Sequence, residues 1–386
     1  MNQKYDFLIL GADGMQGKII ARYLLEKNYK VFLADLYKTT LKPILKKFKN
    51  TEFNFIDLRD IDQTIKLILK TKPNVVINAA EADWNLNVYK ACLKTKTHCI
   101  DLGSSIEMTK KQLEMDYKFK EVKKIAITGC GSVPGIGNVM INYAIKKFDS
   151  IDTIHLGFAW DSNIKKFVVP FSIDSVINEF TAPAPYIQNG RFKFKKPLQT
   201  ITVKNYKLVG AQNSFLVHHA ETYTLYFYYQ KYGLKNVKFF AGFPNHSIEK
   251  ILALIELGFD KNKPIKIEGI EIKPIDFLVQ FTKRIKMPKG YTEQENIWAE
   301  IHGKKNRKKK IILMECLVPP LPGWEEAGCN IDTGIPAGII AEMIKNKKIK
   351  KYGSFAPEIV IPEKELFKEL KKYGMTVYEN GQEINL

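Results

Sequence analysis

Cysteine is sparse in this 386-residue chain: five residues, scattered, never in a CxxC pair. An odd, dispersed set argues against a disulfide framework and a structural zinc, so buried free thiols are expected and no metal site is. Long apolar runs are missing too, since none reaches the roughly 18 to 20 residues that cross a bilayer. The chain enters its first strand without a basic region, apolar stretch and cleavage site. A cytoplasmic protein without membrane contact is expected. Arginine is scarce beside lysine, and no internal repeat or low-complexity linker interrupts the chain.

What is present is a large apolar content, 45% hydrophobic and 12% aromatic, enough for about two domains around buried cores. A net charge of +19 raises the question of nucleic acid. The lysines are spread over the whole length, however. The densest run, "GKKNRKKKIILMEC" at 303–316, falls where a turn joins two strands and reads as a solvated hairpin tip. No nucleic-acid partner is expected, although the surplus charge can attract acidic metabolites.

Residues 1–130 alternate short apolar runs ("YDFLILG", "KVFLADL", "TEFNFIDL", "NVVINAA", "HCIDLG", "KKIAITGCG") with amphipathic stretches, including one over Met108 to Phe119. This α/β alternation predicts a Rossmann domain, a doubly wound parallel sheet with helices on both faces. From about residue 131 to 320 the runs "IDTIHLGFAW", "ITVKNYKLVG", "ETYTLYFYY", "NVKFFAGF" and "IEIKPIDFLVQF" read as strands of a second α+β domain on a largely antiparallel sheet. Residues 321–386 turn helical again, with Ile335, Ile339, Ile340 and Met343 on one face.

The first strand ends at Gly11, a helix begins near Met15, and a second strand ends at Asp35. Gly11, Gly14 and Gly17 form GxxGxxG, with Ala12 in place of the first glycine of the commoner GxGxxG spacing. Gly14 lets backbone approach a pyrophosphate, and the helix opening at Met15 and Gln16 turns its amides toward phosphate. Asp35 would hold the adenosine ribose hydroxyls and repel a 2′-phosphate, which favours NAD over NADP, with Lys38 nearby as a counter-indication. Asp57 and Leu58 end the third strand beside the adenine, and Asn78, Ala79 and Ala80 end the fourth, where small residues leave room for a dinucleotide. A glycine-rich turn without a ligand is the bland alternative.

Five ordered segments, "PNVVINAAEADWNLNVYKACLKTKTHCIDLG", "GCGSVPGIGNVMINYAI", "SIDSVINEFTAPAPYIQNGRFKFKKPL", "FFAGFPNHSIEKILALIELGF" and "TGIPAGIIAEMIKNKKIKKYGSFAPEIVIPEKELFKELKKYGM", resemble the saccharopine dehydrogenase family. "SVINEF" and "PNHSIEKILALIELGF" look most like its lysine 6-dehydrogenases. The resemblance implies an inserted substrate domain, a C-terminal segment returning to the Rossmann domain, and NAD(P)-dependent oxidation of an amine-bearing carbon through an imine. A small amino-acid or diamine substrate and a homo-oligomer are expected. Saccharopine-forming members usually carry an aspartate at the position of Val133 and an arginine at that of Phe239. Lacking that planar cation, this chain is poorly suited to a substrate with three carboxylates, and lysine is favoured over saccharopine.

Such chemistry needs a group that takes a proton from an amine of reference pKa near 10.4. The candidates are Asp101 at a strand end, Glu179 in "SVINEF" and His246 in "GFPNH". Their ordinary alternatives are a helix cap, a solvated face and another cap. In "SVPGIGN", Pro134 suits a first helical turn and Asn138 could hold the cofactor carboxamide, unless the loop is only a hinge. His218 and His219, read as neighbours in a strand, would face opposite ways and could not share a metal.

Overall fold

The alternating apolar runs fold into the strands β1 (Tyr5–Leu10), β2 (Val31–Asp35), β3 (Thr51–Phe55), β4 (Pro73–Asn78), β5 (His98–Asp101) and β6 (Ile125–Ile127). The computed structural model describes residues 4–169, 172–282 and 284–385. All six strands pair in parallel in the order β6-β5-β4-β1-β2-β3, and Gly353–Phe355 adds a seventh parallel strand beside β6. Strand order reverses between β1 and β4, which opens a crevice at their C-terminal ends. Local chemistry sets the helices between them. Asp60, for example, caps the helix Ile61–Thr71 by accepting from the amides of Asp62 and Gln63.

The second sheet runs in the order Thr202–Tyr206, Gly210–Leu216, Asn236–Phe243, Ser150–Ser162, Glu293–Lys305, Lys308–Val318, Thr376–Glu379 and Gln382–Glu383. Its pairs are antiparallel except Ser150–Ser162 with Asn236–Phe243, which is parallel, so the sheet is mixed. The basic run is the tip of the hairpin between Glu293–Lys305 and Lys308–Val318, where Asn306 and Arg307 take φ of 50° and 62°.

Two runs read as strands fold differently. "ETYTLYFYY" is the helix Glu221–Tyr229, because Leu225 and Tyr229 bury against the core while Glu221, Thr222 and Thr224 are buried as well. Burial on several sides overrides the strand preference of threonine and tyrosine. In "IEIKPIDFLVQF", only Ile270–Ile272 is strand, and Pro274 starts the helix Pro274–Thr282. The helix expected from Met108 to Phe119 is two, Ile106–Leu113 and Asp116–Glu121.

The chain then returns to its beginning. Helix Ile331–Lys345 lies on helix Met15–Glu26, with Gly334 and Gly338 so close that an added Cβ would stand 2.4 Å from Ile19 and 2.4 Å from Tyr23. All five cysteines are buried and free. Among the described residues, no helix is long and apolar enough to cross a membrane.

Candidate active site

At the crevice between β1 and β4, the GxxGxxG turn has the shape a pyrophosphate needs. Gly11 has φ of +75°, and a Cβ there would stand 2.4 Å from the Ala80 amide nitrogen; a Cβ on Gly17 would stand 2.1 Å from the Gly11 carbonyl. No side chain caps the helix Met15–Glu26, so its first-turn amides are left for an anion. Asp35 sits at the rim, accepting from the amides of Asp13 at 2.8 Å and Tyr37 at 3.1 Å. The nearby cations are engaged elsewhere, Lys38 over the Phe53 ring and Arg59 with Asp57. Asn78 donates to Asn85 and accepts from Ala80, while Leu58 is buried below Asp57. These residues fit a nicotinamide dinucleotide.

The crevice continues into a cleft of about 600 Å³ between the two sheets. Gln16 lines its cofactor end; Ser132, Val133 and Pro134 form one wall, and Phe158 and Trp160 of the long strand Ser150–Ser162 form its back. Its charge runs against that of the chain. The described lining contains six carboxylates (Glu81, Asp83, Asp174, Glu179, Glu295, Asp332) and two imidazoles (His218, His219), with no lysine or arginine.

Two pairs stand out within it. Glu179, on helix Ile173–Thr181, has an Oε2 that is buried without a hydrogen-bond partner, and its Oε1 lies 3.9 Å from His219 Nε2. Burial raises the Glu179 pKa, while His219 acts in the opposite sense. Also in the lining, Asp332 and Glu295 are 2% and 8% exposed, and Asp332 Oδ2 has no hydrogen-bond partner. Burial first, then the neighbouring charges, raises Asp332 to about 7 and Glu295 well above the usual range. This pair therefore retains a proton near neutral pH.

The other candidates lie elsewhere. Asp101 is buried and accepts from Gly103 N (2.7 Å), Gln112 Nε2 (2.6 Å), Thr128 Oγ1 (3.0 Å) and Gly129 N (3.1 Å). Its carboxylate ties together the loops whose Gly103 and Gly129 press on Pro134. His246 does not line the cleft; its ring faces Ser162 at 3.4 Å. Asn138 is not available to a carboxamide, because it accepts from Gly135 N and donates to buried Glu358 at 2.9 Å. Pro134 does line the cleft. The two histidines are not in a strand, since the strand ends at Leu216, and both reach the cleft. No group of three or more metal-ligating side chains occurs among the described residues.

Sequence reasoning missed His219, Asp332 and Glu295. The first was set aside with the strand reading, and the other two come from segments distant in sequence.

Comparison with known proteins agrees with this geometry. The description "Saccharopine dehydrogenase NADP binding domain" matches residues 7–127, and "Saccharopine dehydrogenase C-terminal domain" matches residues 131–375. The chain belongs to the saccharopine dehydrogenase family. It is an NAD(P)-dependent oxidoreductase acting on an amine. Among its relatives, a carboxyaminopropylagmatine dehydrogenase of Synechocystis is 25% identical over 338 residues, covering 84% of each chain. A carboxynorspermidine synthase of Vibrio alginolyticus is 24% identical over 364 residues, covering 89% of this chain and 86% of the relative. The fold is that of apo saccharopine dehydrogenase (L-Glu forming) from Saccharomyces cerevisiae, with a TM-score of 0.76 at 14% identity, covering 98% of this chain and 100% of the other.

Proposed function

We propose that this family member interconverts a polyamine-type secondary amine bearing one carboxylate with its parent amine and carbonyl compound. The observation that carries this reading is the acidic cleft within a chain of net charge +19. Six carboxyl groups face one cavity, and even with one proton held by the Asp332–Glu295 pair they favour a substrate with several ammonium groups and stabilise the positive charge that develops on an iminium. Saccharopine, with three carboxylates, would meet repulsion with no lysine or arginine in the described lining to offset it. The compounds named by the two relatives, carboxynorspermidine and carboxyaminopropylagmatine, combine several basic nitrogens with a carboxylate. A second reading, oxidation of lysine at its ε-carbon, rests on the "SVINEF" and "PNHSIEKILALIELGF" segments.

A nicotinamide bound in the crevice supplies a hydride acceptor or donor for the substrate carbon. The chain's own residues handle protons. In the oxidative direction Glu179 takes one from the substrate ammonium, leaving the neutral amine from which hydride can depart. Water then adds to the iminium, and the carbinolamine divides into amine and carbonyl compound. Phe158 and Trp160 give the substrate chain an apolar wall.

The test is a panel of carboxynorspermidine, carboxyaminopropylagmatine, lysine and saccharopine, each with NAD and NADP, followed by the absorbance of the reduced nicotinamide. The two polyamines are expected to give kcat/KM at least about tenfold above lysine, with saccharopine nearly inert. Saccharopine as the fastest substrate would sink the proposal, and lysine as the fastest would establish the second reading.

The cofactor we propose is NAD rather than NADP, supported by the Asp35 carboxylate at the rim, which repels a 2′-phosphate. Calorimetric titration should show tighter binding of NAD. Asp35→Ala should weaken NAD by about tenfold or more, since a hydrogen bond to a charged group contributes about 1.5 to 3 kcal/mol. Tighter binding of NADP to the unaltered protein would overturn the assignment.

A further inference from the structure

His219 has a carboxylate facing each ring nitrogen. Nε2 stands 3.9 Å from Glu179 Oε1, and Nδ1 stands 3.4 Å from Glu221 Oε2. The ring lies flat on Phe239, with centroids 3.9 Å apart and planes 8° from parallel. Glu221 does not line the cleft: it has 0% exposure, and neither carboxylate oxygen has a hydrogen-bond partner. A buried carboxylate without donors needs a compensating charge, and the adjacent imidazole can supply it.

Resting on the amine chemistry proposed above, the geometry points to Glu221 as a positioning residue that keeps His219 an imidazolium, so that Glu179 and His219 act as one acid–base unit. Burial opposes charge on His219, but Glu221 and Glu179 outweigh it and raise the ring to about 9. The groups packed around it are Glu179 from helix Ile173–Thr181, Glu221 from helix Glu221–Tyr229, Phe239 beneath, Phe158 from the back strand and adjacent His218. Behind Glu221 stands Glu358, which burial holds near 7. When the C–N bond forms, the carbinolamine loses its hydroxyl as water. The C–O bond breaks, the Glu179–His219 unit donates the proton that completes the water, and the remaining iminium accepts the hydride. In the reverse direction the unit recovers that proton from the adding water.

Removing Glu221 leaves burial pulling the imidazole toward neutrality against Glu179 alone. In Glu221→Gln, the basic limb of kcat for C–N bond formation should therefore move from near pH 9 to about 7 or below. The ratio of variant to wild-type kcat cancels the amine's own ionisation. It should stay within about threefold of unity at pH 6 and fall to about one tenth or less at pH 8.5, and Glu221→Asp should restore the limb. A ratio independent of pH would make Glu221 merely structural and overturn the inference. A second measurement needs no substrate: the ¹⁵N resonances of His219 in the wild-type protein, assigned with His219→Gln. Protonation of both ring nitrogens at pH 7.5 supports the inference, and a neutral ring overturns it. If no panel amine is turned over, the functional reading fails, and the His219 resonances still decide this one.

Discussion

Glu179→Gln is expected to lower turnover by about 10²- to 10⁴-fold at neutral pH, the range spanned by loss of a general acid–base group. Glutamine keeps the shape of a side chain packed on helix Ile173–Thr181 and removes its capacity to accept a proton. Glu179 Oε2 is already buried without a donor, so the substitution disrupts no hydrogen bond from that oxygen. The fold should survive. Binding of the dinucleotide, which we propose takes place at the glycine turn, should change by less than about twofold, read by titrating the protein with the reduced cofactor. A variant with wild-type rate and amine affinity would remove Glu179 from the site. The search would then move to Asp332 and Glu295, which line the same cleft.

Gly14→Val should abolish measurable cofactor binding, a loss of at least about a hundredfold, on the order of 3 kcal/mol. Gly14 has φ of −70° and ψ of 167°, extended backbone that any residue adopts. A Cβ there meets only the Gly11 carbonyl oxygen, at 3.2 Å. The glycine is thus not required by the backbone; it leaves space over the uncapped helix start, where two valine methyls would occupy the path of the pyrophosphate. Circular dichroism and melting should stay near wild type. Gly11→Ala is the contrast, because its +75° φ and the 2.4 Å approach to Ala80 make it a folding defect. If Gly14→Val binds NAD normally, the dinucleotide does not cross this turn.

Much of the first domain was legible because a parallel sheet buried on both faces writes each strand as an apolar run, and because Gly11, Gly14, Gly17 and Asp35 stand close together in the chain. The second domain was less so. Thr222, Tyr223, Thr224 and Tyr226 carry strand preference, yet their segment is a helix, since preference of about 1 kcal/mol per residue yields to tertiary burial. His219 was read as lying within a strand and weighed only as a metal ligand, whereas it follows the end of one. Glu179 reached the list of candidates through resemblance, and nothing local in "SVINEF" indicates a carboxylate with one unpartnered oxygen in a cleft. The pairing of Glu295 with Asp332 joins a sheet strand to a helix near the end of the chain, a juxtaposition that no periodicity encodes. Asp101 and Asn138 were chosen as polar groups in the right neighbourhood, but the structure spends them on holding loops.

The strand Gly353–Phe355 has a consequence for how the protein is made. It completes the first sheet beside β6, yet more than two hundred residues separate the two strands, and the second domain lies between them. Helix Ile331–Lys345, with its glycines fitted against Ile19 and Tyr23, belongs to the same late stretch. The nucleotide-binding domain is synthesised ahead of the second but lacks one sheet edge and one helical cover until residues 331–355 have been made. Contacts closed across such long loops form slowly. Nascent chains should therefore remain sensitive to protease in the first domain until the strand Gly353–Phe355 has emerged.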